Sequence, residues 1–452
     1  MTRRDTMLDS LRVIAEGKTK RIYEDPGNQN LVIIESKDDI TAGDGARHDV
    51  IEGKGALATA TTCNVFKFLK DCGAPLAYHS RIDATRFKSA KCAMIPLEVV
   101  ARRVATGSYC KRNPCVSKGM LLPKLVIEFF LKTSKNQWRG TDIPCDDPFM
   151  QPYGDSKRVF NLFVPSEPIA SQVQFGSVTA KELFKEMNKE CEAPEGILEE
   201  IKYITRIVFY LLEKAFQLRD FVLHDLKLEF GIDSEGRLLL ADVVDNDSWR
   251  LTRNGTEYSK QAYRDGEQLN VVKRLYEVVT EHTGKFEIPY QQLIFWTGSS
   301  SDDITPFKDA FIKYLPEPRQ DVAICRSIAT REIICSVHKA VQKAIPDVQQ
   351  AVHDIPDTVI IAYIGRSNGA GPVLSAHVSV PVISVPATWK EHWGDVDSSL
   401  RMPSDVPTST ILEPSNAVLH ALEILALRNP YVYAHLRSRL EERLVNQIVL
   451  PE

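Results

Sequence analysis

Three ionisable residues carry the strongest chemical signal in the chain: Lys227 and Glu229 in HDLKLEFG, and Asp242 in LADVVDND. Lys227 and Glu229 alternate with Leu226, Leu228, Phe230 and Ile232, the two-residue period of a strand with one aliphatic face. Asp233-Ser234-Glu235-Gly236 supplies a turn, and Arg237–Val244 returns as a second strand. If Ile232 pairs with Arg237, counting along the hairpin sets Lys227 against Asp242 and Glu229 against Leu240. All three charges then share one face. Charges on an otherwise aliphatic hairpin are costly unless they pair or bind an ion. Two carboxylates with a lysine between them suit Mg²⁺ bridging nucleotide phosphates, because that ion takes oxygen ligands. A strand face open to water accommodates the same residues, so both readings stand.

Other strings point to anions. Glu16-Gly17-Lys18-Thr19-Lys20 sets two lysines beside a glycine, a turn able to fold over a polyphosphate or simply to face solvent. It is not GxxxxGK[ST], because the upstream glycine is missing. Arg102-Arg103 with Thr106-Gly107-Ser108 and Lys111-Arg112 is a dense basic loop. It suits a phosphate or carboxylate, or equally a solvated turn. Asp245-Asn246-Asp247 reads as a polar turn or as further substrate contacts. Later in the chain, Ser336-Val337-His338-Lys339 places a histidine beside a lysine whose charge biases the imidazole toward its neutral, proton-accepting form. Gly298–Asp302 (GSSSD) and Gly365–Pro372 (GRSNGAGP) are glycine-rich loops that allow close backbone approach to a small anion.

The elements that position these residues fall into two groups. Leu31–Ile34 reads as a buried strand, and Ile197–Phe216 as an amphipathic helix with apolar residues at three- and four-residue steps. A helix over Leu269–Thr280 leads to a junction at Glu281–Pro289. Beyond it, the strands LIFWTG, EIICSV, TVIIAYI and VPVISVP alternate with helices and end in Ser415–Arg428 and Tyr431–Gln447, the pattern of a parallel sheet covered on both faces. Ligands in such sheets bind at the carboxyl ends of the strands, where the three polar loops fall. The expected division is 1–267, a linker helix over 268–289, and 290–452.

Composition sets limits. With 452 residues, 43% hydrophobic and 26% charged, the chain is expected to be globular and multidomain. Its 56 basic and 60 acidic residues give a net charge of −4, which argues against a nucleic-acid-coating protein. Nine cysteines without a CxxC pair suggest free thiols in a reducing, cytosolic setting. No apolar run is long enough for a bilayer, and no secretory signal core is expected.

Together, EGKTK (16–20), SKDDITAGDGAR (36–47), MIPLEVVARRVATGSYCKRNP (94–114), HDLKLEFG (224–231), LADVVDNDSWRL (240–251) and KQAYRD (260–265) resemble SAICAR synthetase. GSSSD (298–302), SVHK (336–339), GRSNGAGPV (365–373), PVISVP (381–386) and SSLRMPS (398–404) resemble AIR carboxylase. The whole is similar to the animal bifunctional family that joins the two, from about residue 11 to the C-terminal helices. That resemblance implies a two-lobed, kinase-like α+β domain followed by a flavodoxin-like three-layer α/β domain that assembles as a homo-octamer. It implies carboxylation of aminoimidazole ribonucleotide (AIR) by CO₂ to CAIR, then ATP- and Mg²⁺-dependent joining of CAIR to L-aspartate, without biotin, in the cytosol.

By the same resemblance, Gly17, Lys18 and Lys20 cover the ATP phosphates, and the Pro96–Val100 stretch, with Glu98 and Val100, holds adenine. Glu229 and Asp242 hold Mg²⁺. Arg102, Ser108, Lys227, Arg250 and Arg264 contact substrate, and Lys227 also serves catalysis. In the second half His338 moves the ring proton. Lys339, Ser367, Asn368 and Gly369 hold CO₂ or carboxylate, while Ser299, Asp302 and Ser336 bind the substrate. Two alternatives remain: a synthetase carrying a degenerate, oligomerising carboxylase domain, and a nucleotide-binding regulator without catalysis.

Overall fold

A computed structural model describes residues 11–42, 46–154, 156–185, 194–315 and 328–447. Positions 43–45 of the SKDDITAGDGAR string lie outside the described residues, as do 155 and 186–193 of the stretch Leu131–Glu195 that the sequence suggests is a loop insertion.

The chain divides into two compact units, Met1–Glu287 and Ile288–Glu452. The helix expected as a linker, Leu269–Thr283, instead belongs to the first unit. It buries Val272, Tyr276 and Val279 and lies against the helix Lys54–Asp71, with the Thr61 and Thr280 hydroxyls 2.8 Å apart.

Among the described residues the first unit has two large antiparallel sheets, besides two two-stranded ones, Asp39–Ala42 with Arg47–Val50 and Gln137–Trp138 with Thr141–Asp142. The smaller of the large sheets has the order Val13–Glu16, Lys20–Glu24, Leu31–Ser36, Arg86–Ala90, Tyr78–Arg81. Val32, Ile34 and Phe87 cover Cys63 of the helix Lys54–Asp71. The larger sheet has ten strands, with Leu97–Val104 and Val222–Ile232 side by side near its centre. The helix Pro194–Gln217 packs against them and buries Ile201, Val208, Leu211, Leu212 and Phe216, the stripe its periodicity predicts.

Two corrections concern this sheet. Ile232 pairs with Leu238 and Glu229 with Ala241, so the hairpin loop runs from Asp233 to Arg237, one residue longer than counting predicts. Asp242 lies just past the strand Leu238–Ala241 at φ 63°. That left-handed backbone breaks the alternation of faces that placed it beside Lys227. The stretch after Leu131 is also not a plain loop: Phe149–Tyr153, Ser156–Phe163 and Gly176–Thr179 extend the large sheet strand by strand.

The second unit is a five-stranded parallel sheet in the order Ile328–Ile334, Gln291–Thr297, Thr358–Ile364, Val382–Pro386, Ser409–Thr410. Alternation along the strands sends side chains to two cores. Leu293, Phe295, Val359, Ile361, Ile383 and Val385 meet the helices Thr305–Tyr314 and Pro414–Ala426. Ile294, Trp296, Ile360 and Ala362 meet Val341–Asp354 and Ala370–Ser375. Three layers result. The strand expected to reach Val337 stops at Ile334, which leaves SVHK in the connection that follows.

Candidate active sites

In the first unit, lysines and carboxylates alternate across the hairpin. The Lys227 ammonium donates to Glu98 Oε1 at 2.8 Å and to Glu229 Oε1 at 3.3 Å. Lys132 donates to the other Glu229 oxygen, and Lys20, the last residue of the GKTK turn, donates to Asp242. Glu229 is only 5% exposed. Burial alone would raise its pKa, but Lys227, Lys132 and Lys20 outweigh it and hold the carboxyl down at about 2. Burial works against the Lys227 charge as well, yet Glu98 and Glu229 keep that ammonium above the ordinary lysine value. Lys20 differs: desolvation prevails over the pull of Glu229 and lowers it to about 8. The turn itself is closed by Gly17 N–H on the Lys20 carbonyl at 2.9 Å, with Gly17 and Lys18 exposed beside the cluster.

Glu229 and Asp242 are thus connected through Lys20, which donates to Asp242 and feels the Glu229 charge, rather than through strand register. Among the described residues no group of three or more His, Cys, Asp or Glu forms a metal cage. A pair of carboxylates completed by phosphate oxygens and water is nevertheless how Mg²⁺ is usually held, so this donor set fits that ion. Val100 is a different matter. It pairs with Glu128 on one side and Lys227 on the other, so its main-chain groups lie within the sheet and offer adenine no free edge. Glu98 brings its carboxylate to Lys227.

A second charged group surrounds the Asp245-Asn246-Asp247 turn. Asp247 accepts from Lys260 and from the Tyr276 hydroxyl, both at 3.0 Å, with the buried Lys54 ammonium at 3.8 Å. Burial opposes its ionisation, but Lys54 and Lys260 prevail and lower its pKa, whereas burial and the Asp247 charge push Asp245 up. Asn246 is 1% exposed, and neither of its amide atoms has a hydrogen-bond partner among the described residues. An amide left so is costly unless a water or ligand completes it. Arg264 lies exposed at the end of the helix Lys260–Arg264, with a hydrogen bond to Gln261 at 3.4 Å.

Arg102, Ser108 and Arg250 come together around Asp225. One oxygen of that buried carboxylate, Oδ2, accepts from Arg102 at 3.0 Å, from the Thr106 hydroxyl at 2.8 Å and from Arg250. Arg102 also donates to Ser108 Oγ at 3.3 Å. Gly107 sits at φ 56°, and a Cβ there would stand 2.7 Å from the Arg250 guanidinium, so both backbone and space require glycine. Arg102 is almost fully buried, while the Arg250 side chain keeps 22% exposure.

In the second unit the polar loops stand at the carboxyl ends of the parallel strands. One oxygen of the half-buried Asp302, Oδ2, accepts from the Gly298 and Ser299 amides at 3.1 and 2.9 Å and so shapes its loop. Ser299 Oγ lies 2.9 Å from Ser301 Oγ. Ser336 Oγ accepts from the Lys339 amide at 3.4 Å, which presents His338 and Lys339 as exposed side chains of a turn. Ser367, at φ 60°, donates its amide to Asp395 at 3.0 Å. Asn368 is fully buried and donates to Ser399 at 2.7 Å, a placement that makes it internal rather than part of the rim. Gly369 opens the helix Ala370–Ser375.

The residues the sequence reading missed are Lys132, Lys54, Lys260, Asp225 and Glu128, together with Asp147, whose carboxyl burial raises to about 6 beside Glu98 and Lys227. Lys132 ends the apolar run LVIEFFL, and Asp225 stands two residues before Lys227; these were the available signals.

Comparison with known proteins agrees with this division. A family model described as SAICAR synthetase matches residues 13–143 and 180–281, and one described as AIR carboxylase matches 316–444. The chain is similar to a "Probable multifunctional protein ADE2" of Caenorhabditis elegans, at 35% identity over 97% of this chain and 95% of the relative. It is 32% identical to a Homo sapiens bifunctional phosphoribosylaminoimidazole carboxylase/phosphoribosylaminoimidazole succinocarboxamide synthetase, over 94% of this chain and 92% of the relative. A solved "SAICAR synthetase (Type-2) in complex with ADP" covers 62% of this chain and 99% of its own, at 25% identity and a TM-score of 0.47. With both family models matched in order and relatives aligned along nearly its full length, the chain belongs to the bifunctional family of purine biosynthesis that joins SAICAR synthetase to AIR carboxylase.

Proposed function

We propose that the first unit ligates CAIR to L-aspartate at the expense of ATP and that the second carboxylates AIR. The observation that carries this reading is the alternation Lys20–Asp242, Lys132–Glu229–Lys227–Glu98. A carboxylate is a poor electrophile. Its oxygen takes the γ-phosphoryl group of ATP, ADP leaves, and the aspartate amine attacks the acyl carbon; phosphate departs and the nitrogen loses a proton. The lysines neutralise charge on the phosphoryl group in flight and hold the reacting oxygens in line. Glu229 and Asp242 are the residues that would hold Mg²⁺, which when bound supplies further charge neutralisation at the phosphates.

Gly17 and Lys18 cover the phosphates, and the chain around Glu98 flanks the nucleotide. Arg250 and Ser108, backed by Arg102, bind the CAIR anion. The 245–247 turn with Lys54 and Lys260 offers the two signs of charge a zwitterionic amino acid needs, and the unpartnered Asn246 amide supports that placement. Arg264 stands at its margin.

In the carboxylase reaction the ring carbon is already nucleophilic, so no biotin is needed. CO₂ bonds to C4, the C4 proton leaves, and His338 accepts it while Lys339 and the Ser367–Gly369 backbone hold the new carboxylate. Ser299 and Ser336 line the same rim. We also read the first unit as kinase-like and the second as flavodoxin-like, with cytosolic homo-octamers formed through the second unit. The exposed Ile334, Trp393, Leu400 and Leu427 support self-association. No described helix is long and apolar enough to cross a membrane. ADP release with CAIR, with and without L-aspartate, tests the ligase reading: steady turnover only with aspartate is expected, and turnover indifferent to both substrates contradicts it.

A further inference from the structure

Residues 144–179 fall between the two stretches that match the SAICAR synthetase family model, and they add three strands to the large sheet. Among the side chains these strands meet is the buried Arg112. Its guanidinium lies 4.3 Å from the Phe149 ring centroid and 5.3 Å from that of Phe130, and it donates to the Pro165 carbonyl at 2.8 Å. It also donates to Glu128 Oε1, while Glu128 Oε2 accepts from Arg102 Nε at 2.6 Å. Arg102 in turn reaches Asp225 and Ser108. Ser108 and Arg112 are the two ends of one short helix, Ser108–Arg112.

We propose that Arg112 and Glu128 are positioning residues for the ligase's anion site, and that through them the added strands set the direction of Arg102 and Ser108. A guanidinium gripped on two edges by Glu128 and Asp225 has one orientation left. The Arg112 side chain is fully buried and that of Glu128 is 6% exposed, so neither touches substrate and both act through Arg102. Small misplacements of binding groups cost rate and affinity steeply. The inference rests on the reading that Arg102, Ser108 and Arg250 hold the CAIR anion.

Steady-state ligation by the full chain tests it, with CAIR and ATP varied in turn. Glu128→Gln and Arg112→Lys each raise the KM for CAIR about tenfold and leave the KM for ATP within about twofold, since only the anion site is disturbed. Their combination does no more than the stronger single change, because both act along one route. An unchanged KM for CAIR in both variants, when Arg102→Lys raises it, overturns the positioning role; so do additive effects, or equal rises for ATP. Should Arg102→Lys itself leave that KM unchanged, the anion-site reading fails instead. If Glu128→Gln does not fold, Phe149→Leu takes its place beside Arg112→Lys: it keeps every charge and is expected to raise the same KM about threefold, a modest shift transmitted from the added strands. No rise overturns the proposal.

Discussion

Lys227 stands within 3.3 Å of two carboxylates, whereas Lys339 of the second unit is exposed and makes no ion pair among the described residues. The two units hold charge in opposite ways. In the first, lysines and carboxylates around the hairpin neutralise one another, a preorganised field of the kind the proposed phosphoryl transfer would use. The second relies on loops at strand ends whose conformation is fixed from behind, by Asp302 on two amides and Asp395 on a third. Carboxylation moves less charge, and a shaped pocket with one proton acceptor suffices. Mutations should therefore act through electrostatics in one unit and through geometry or a single proton in the other.

The largest effect is expected for Lys227→Met, which leaves the buried Glu229 and the half-buried Glu98 short of a cation and lowers ligase kcat about a thousandfold while AIR carboxylation continues. Coupled and separate assays on one preparation check this. Next comes His338→Ala, which should lower carboxylation about a hundredfold and spare ligation, as loss of a general base does. Loss of both activities from either folded variant would break the contrast between the units.

Much of this contrast is legible in the residues, and the gaps have physical causes. Parallel strands and their polar ends in the second half follow from short aliphatic runs, and TVIIAYI matches Thr358–Ile364 residue for residue. Asp242 could not be placed by counting, because a longer loop shifts the register and its own positive φ then turns the side chain back to Lys20. Lys132 reaches Glu229 from 97 positions away, a separation that no periodicity encodes. Polar residues in motif strings also divide between rim and interior: Asn368 is buried next to the exposed Arg366 and Ser367, and Arg112 is buried next to the exposed Lys111.

Smaller effects sharpen the comparison. Lys132→Ala should lower ligase kcat/KM for ATP about tenfold, since one of three cations near Glu229 is lost and two remain. The weakest is a pH effect. Lys20, lowered to about 8 by burial, carries its charge below that pH and loses it above. Ligase kcat/KM for ATP should then fall with rising pH through about 8, and Lys20→Arg, whose guanidinium stays charged, should move that alkaline limb upward. A limb unchanged by the substitution would assign it to another group.

Glu229→Gln in the full chain, assayed for both reactions, addresses the centre of the account. The substitution keeps the side chain's shape and removes the one buried charge that three lysines surround. Aspartate-dependent ADP release from CAIR and ATP should vanish while CAIR still forms from AIR and bicarbonate; ligation at the native rate would contradict the assignment of this cluster to phosphoryl transfer.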